Sequence, residues 1–149
     1  ADDPPAGLGR IERERRKILR HLADGKPLAA WQSLQQLQHT QPIFRLDREP
    51  LRKLAAGMIE HEQWNEAVLL LEEHVERFDE QSGPLRLQLA LILLHKQRRP
   101  RAAQRVLQQI EAGQLAPPLQ QKLQASQRAA EKMIDSGVIE LSGQAFGSL

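Results

Sequence analysis

The stretch Gln63-Trp64-Asn65-Glu66-Ala67-Val68-Leu69-Leu70-Leu71 decides the fold, because its pattern occurs three times. Pro27, Ala30, Leu34 and Leu37 are followed by Trp64, Ala67, Leu71 and His74, then by Pro100, Ala103, Leu107 and Ile110. Within each copy the offsets are three, four and three residues. The copies are 37 residues apart (27 to 64) and then 36 (64 to 100). A fixed period in this range marks stacked supersecondary units, none of which can bury its apolar face alone. Such repeats point to a class of job, binding other macromolecules, without naming the partner.

Composition agrees with helix-on-helix packing. The chain has 149 residues, enough for one domain that buries about two-thirds of its unfolded surface. Hydrophobic residues make up 40% but aromatics only 3%, with no Tyr, so the core must come from Leu, Ile, Val and Ala. Few rings also argue against a stacking platform for single-stranded nucleic acid. The net charge of +2, from 21 basic and 19 acidic residues, creates no strong field for nucleic acid or membrane. With no cysteine, disulfides, zinc–thiolate sites and thiol catalysis drop out; the compartment stays open. The longest apolar run, Leu89 to Leu94, is too short to span a bilayer, and no signal-peptide pattern is present. A membrane contact would need a segment absent from this chain, which begins at Ala1 and reads as a piece of a larger protein.

Along the chain, the acidic, proline-rich residues 1–7 read as a disordered linker. Residues 8–136 read as one repeat domain, and residues 137–149 as a flexible tail. From Leu8 to about Asp24 the stripe of Ile11, Ile18, Leu19 and Leu22 predicts a helix, which Gly25 ends. Pro27 suits the first turn of the next helix, running to Thr40, and Pro42 forbids its continuation. Asp47 and Pro50 open a third helix, and the Trp64 helix runs to about Phe78. Leu85–Lys96 is apolar almost all round, Pro100 starts a helix ending at Gly113, and residues 116–135 form a polar closing helix. The expected fold is all-α: about seven helices, as a right-handed solenoid of three stacked antiparallel hairpins plus a capping helix.

The recurring offsets have a steric reason. Where two antiparallel helices come closest, a small residue lets their backbones approach, which Ala30, Ala67 and Ala103 provide. Leu34, Leu71 and Leu107 lie one turn further along the same face and fill the space between hairpins. With Gly25, Pro27, Ala30, Leu34, Leu37 and Pro42 in the first copy, these residues resemble tetratricopeptide repeats. The second copy matches through Leu54, Met58, Trp64, Ala67 and Leu71, and the third through Leu91, Leu94, Pro100, Ala103 and Leu107. The resemblance covers about residues 11 to 117. It departs at Lys17 and His21, at His74 where a small residue is usual, and at Arg98 where the turn usually has Gly.

That resemblance implies a concave groove for peptides or helices, lined by the first helix of each hairpin. By register its lining would be Arg15, Leu19, Leu22, Arg52, Ala56, Ile59, Glu60, Ile92, His95 and Lys96. Leu19, Ala56 and Ile92 stand where the family's carboxylate-clamping Asn would be, so the floor reads as apolar with basic edges, suited to an amphipathic segment. The bland alternative is that the chain's own terminal helix or a second copy, as a homo-oligomer, fills the groove.

Two basic clusters stand out. Arg10, Arg13, Arg15, Arg16, Lys17 and Arg20 could contact the phosphates of nucleic acid or of an anionic membrane. Glu12 and Glu14 interleave them, which fits an ordinary solvated face. Arg98, Arg99, Arg101 and Arg105 invite the same two readings. His61-Glu62-Gln63-Trp64-Asn65 lacks the second His of a zinc-protease motif, and no phosphate loop or nucleophile elbow occurs. The expected function is therefore a non-catalytic protein–protein interaction or scaffolding module, with no cofactor and no metal. The alternative is a basic adaptor surface on the Arg10–Arg20 helix.

Overall fold

The computed structural model describes residues 6–140. Among them it is all-α, with seven α-helices, one 3-10 turn and no strand. The helices are α1 (Ala6–Ala23), α2 (Pro27–Thr40), α3 (Arg48–Glu60), α4 (Trp64–Arg77), α5 (Gly83–His95), α6 (Pro100–Gln108) and α7 (Pro117–Asp135). They form two compact units that divide between Gln63 and Trp64, inside the stretch expected as one repeat domain. The expectations for residues 1–5 and 141–149 lie outside the described residues.

Pro27, Trp64 and Pro100, which set the sequence period, are the first residues of α2, α4 and α6. Two residues ahead of each, at Gly25, Glu62 and Arg98, the backbone turns left-handed, with φ of 70°, 56° and 50°. In the first turn the Gly25 N–H donates to Leu22 O at 3.1 Å and the Lys26 N–H to His21 O at 2.8 Å. The second repeats this: the Glu62 N–H bonds Ile59 O at 3.0 Å and the Gln63 N–H bonds Met58 O at 2.8 Å. This paired closure satisfies carbonyls that a helix end would otherwise orphan. The third turn is one residue wider, its Arg99 N–H reaching back to Leu93 O at 2.7 Å. The arginine that departs from the usual glycine thus still takes the glycine conformation.

In the first unit α1 packs on α2 and α3, and α2 on α3. A three-residue link, Asp24–Lys26, makes α1 and α2 an antiparallel hairpin. Ala30 is completely buried there, with Ile18, Leu34, Leu37, Leu51, Leu54 and Met58 around the interior. A Cβ added at Gly57 would lie 2.6 Å from Pro27 Cβ, so α3 crosses the start of α2 at a distance only glycine permits.

In the second unit α5 is the central element, packing on α4, α6 and α7, which explains its nearly uniform apolarity. Ala67 and Ala103 are completely buried, like Ala30, and Leu71 and Leu107 nearly so. His74 is buried too, its ring tilted against Phe78 with centroids 5.2 Å apart.

Two boundaries differ from the sequence reading. The helix expected from Leu85 starts two residues earlier: Gly83 and Pro84 are the first turn of α5, after Ser82 at its N-cap position. In addition, α6 stops at Gln108 instead of Gly113. The Gln109 and Ile110 N–H groups tighten onto Val106 O and Leu107 O at 3.1 Å each, and a 3-10 turn over Ala112–Gln114 follows. That early stop brings Leu115 into the core, against Gly83. The tail expected to be free from residue 137 has a fixed point in Glu140. Its carboxylate accepts the Arg101 and Ala102 N–H groups at 2.8 Å each and so caps α6, in a recess also lined by Arg99 and Arg105.

Candidate functional site

The ten groove residues are divided between the two units. Arg15, Leu19 and Leu22 lie on α1, and Arg52, Ala56, Ile59 and Glu60 on α3, so the first unit holds seven on a pair of packed helices. Ile92, His95 and Lys96 belong to the second unit, at the end of α5 and just beyond it.

On α3 the buried stripe is Leu51, Leu54, Ala55 and Met58. At about 100° per residue, Arg52, Ala56 and Ile59 form the neighbouring stripe, rotated away from the interior. Ala56 is exposed and Ile59 half-buried. Leu19 and Leu22 of α1 are half-buried as well, whereas Ile18 is completely covered. The α1–α3 face therefore keeps apolar side chains partly open to solvent.

The basic edges of this face are neutralised within their own helices. Arg15 grips Glu12 through both branches, at 3.0 and 2.8 Å, and Arg16 donates to the same carboxylate at 3.2 Å. The Arg15 hydrogen bonds and charge hold the Glu12 carboxyl down, from an ordinary 4.5 to about 2. Arg52 grips Glu49 one turn back at 2.9 Å, and that bond raises the guanidinium's own pKa. A partner would meet closed ion pairs here more than open cations.

On the opposite side of α1, Arg10, Arg13, Lys17 and Arg20 are all exposed. Their spacing of three, four and three residues places them on one stripe. The run read as a single basic cluster is thus two features: a paired edge and a separate cationic stripe.

In the second unit Ile92 is buried, 5% exposed, and belongs to the core of α5 more than to any surface. His95 and Lys96 are exposed, with the Lys96 ammonium 5.0 Å from the centre of the Trp64 ring. Half-buried Trp64 thus draws in a cation assigned to the groove.

The sequence reading missed a cleft that the helices enclose. It measures about 730 Å³ and lies in the second unit, between α4, α5 and α6. Val75, Leu89 and Val106 line it together with Glu72 and Glu76, and Asp79 and Arg86 close one end. Arg86 is 13% exposed; it donates to Asp79 at 2.6 Å and Ser82 Oγ at 2.8 Å, and also to Gln109. Among the described residues no three His, Asp or Glu side chains are placed to hold a metal ion. No helix among them is long and apolar enough to cross a membrane.

Comparison with protein-family models, curated proteins and solved structures found no match.

Proposed function

We propose that this chain is a non-catalytic protein-interaction module of the tetratricopeptide-like kind. Its α1–α3 face would take the apolar side of a peptide or amphipathic helix. One observation carries the reading: Leu19, Leu22 and Ile59 stay half-open on two packed helices, beside an exposed Ala56. A helix that laid Leu-like side chains on this strip would remove apolar surface from water, worth about 25 cal/mol per Å². The ion pairs Glu12–Arg15 and Glu49–Arg52 border the strip and keep its edges soluble without a strong charge of either sign. The test is the double variant Leu19→Glu with Ile59→Glu, checked by circular dichroism for an unchanged fold. Partner binding should be lost; binding that persists in the folded variant sinks the reading.

A second reading is favoured by the exposed stripe Arg10, Arg13, Lys17 and Arg20, which suits phosphates of nucleic acid or lipid headgroups. Salt separates the two. Phosphate binding should weaken steeply as salt rises, while an apolar contact should hardly change.

A further inference from the structure

The second basic cluster of the sequence has no role in either reading above, and three of its arginines meet in one place. Arg99, Arg101 and Arg105 line a recess of about 250 Å³ together with Glu140. At the start of α6, Pro100 has no N–H, and the Ala103 N–H is spent on Arg99 O at 3.0 Å. The free donors of this first turn are therefore the Arg101 and Ala102 N–H groups. Each takes one oxygen of the Glu140 carboxylate at 2.8 Å, so an anion brought from 38 and 39 residues away is already seated here. The guanidiniums do not clasp it: none of the ion pairs among the described residues includes Glu140, Arg99, Arg101 or Arg105. Arg101 and Arg105 are exposed. Arg99 is half-buried; one branch donates to Gln97 and its charge acts on Glu72, while its buried Nε has no hydrogen-bond partner among the described residues. One carboxylate thus stands before a helix start and three cations, and positive charge is left over.

We propose that this recess binds a phosphate monoester and that Glu140 is its built-in competitor. The surplus charge selects the ligand. Both oxygens of a carboxylate in this seat are taken by the two amides, which leaves little for the arginines. A phosphodiester, as in a nucleic-acid backbone, has two free oxygens and one charge and does no better. A monoester has three free oxygens and roughly −1.5 to −2 charge, so two oxygens hold the amides while the third meets a guanidinium. Its arrival lifts Glu140 from α6 and releases Val138–Glu140 from their fixed point. Until then the carboxylate keeps the recess closed as a latch.

The test is an amide chemical-shift titration of the full chain at fixed ionic strength with four probes: glycerol phosphate, a short phosphoserine peptide, dimethyl phosphate and acetate. The two monoesters should shift the Arg101 and Ala102 amides and those of Val138–Glu140, and the other two should do so far less. Whichever monoester binds more tightly shows whether the phosphate comes on a small molecule or on a protein. Glu140→Gln removes the competitor's charge and should tighten monoester binding about ten-fold, as for a site open a tenth of the time. Arg101→Gln with Arg105→Gln, both at exposed positions, should weaken it about ten-fold. Leu19→Glu with Ile59→Glu should leave it unchanged, which separates a failure here from a failure of the α1–α3 reading. No shift at Arg101 and Ala102 with millimolar monoester overturns the proposal. So do equal shifts from all four probes, which would mean an adventitious ion only, or undiminished affinity in the double-arginine variant.

Discussion

The α1–α3 face of the first unit and the α4–α6 cleft of the second use acidic residues in opposite ways. On the first, Glu12 and Glu49 are held by arginines of their own helices, three and four residues away. In the second, Glu72 and Glu76 line the cleft with no such clasp among the described residues, and Arg99 acts on Glu72 through its charge alone. In both units the packing rule is the same, an alanine with no exposed surface near the start of α2, α4 and α6. Interior residues thus repeat because packing demands it, while surface charges diverge because packing ignores them.

The sharpest test of the shared rule is Ala30→Arg against Ala103→Arg. Each should cost about 3 kcal/mol or more by overpacking and burying a charge, read as a fall in the urea midpoint. A much smaller loss at one position would break the equivalence of the two units.

Gly57→Ala tests the close approach of α3 to α2 in the first unit. The added methyl meets the Pro27 ring, which cannot swing aside, so about 1–3 kcal/mol should be lost despite alanine's better helix propensity.

The turns should answer in the other direction. Glu62→Gly and Arg98→Gly should each stabilise by up to about 1 kcal/mol, because glycine enters the left-handed region without the steric cost of a side chain. Gly25→Ala, at φ 70°, should destabilise. Thermal melting of the three variants checks the signs.

The smallest effects concern pH and should have opposite signs in the two regions. Glu12 has a lowered folded pKa, so its contribution is present above about 4.5 and fades as pH falls through about 2. Glu12→Gln should therefore lower stability at neutral pH and make little difference in strong acid. Glu72 is raised, so its ionised form is a burden at neutral pH that acid relieves. Glu72→Gln should therefore stabilise at pH 7, and the difference should vanish as pH falls. Denaturant melts at a series of pH values read both; a shared sign would dissolve the contrast.

Much of the fold was legible because it rests on local signals. Pro27, Trp64 and Pro100 announced their helices to the residue, and the alanine pattern named the interior of each copy. The end of α6 was not, since Gln109-Ile110-Glu111-Ala112 contains no breaker and a helical reading runs on to Gly113. Register singled out Leu19, Leu22 and Ile59, which are half-buried. The cleft did not follow from register, because Val75, Leu89 and Val106 come from three helices and share no period. Glu140 was equally silent: its cap on α6 reaches back 38 and 39 residues, and nothing near Glu140 encodes that.

The matching turns at Gly25 and Glu62 have a consequence for engineering. Both hand the chain into a helix of 14 residues, α2 and α4, through the same pair of backbone hydrogen bonds. Those two segments are cassettes with compatible entry joints, so a chimera joined at residue 27 or 64 inherits the same hydrogen-bonded seam, best with glycine at the left-handed position. The wider turn at Arg98 leads into a nine-residue helix and offers no such joint. Lengthening or shuffling this protein is a matter of copying its first two seams and leaving the third alone.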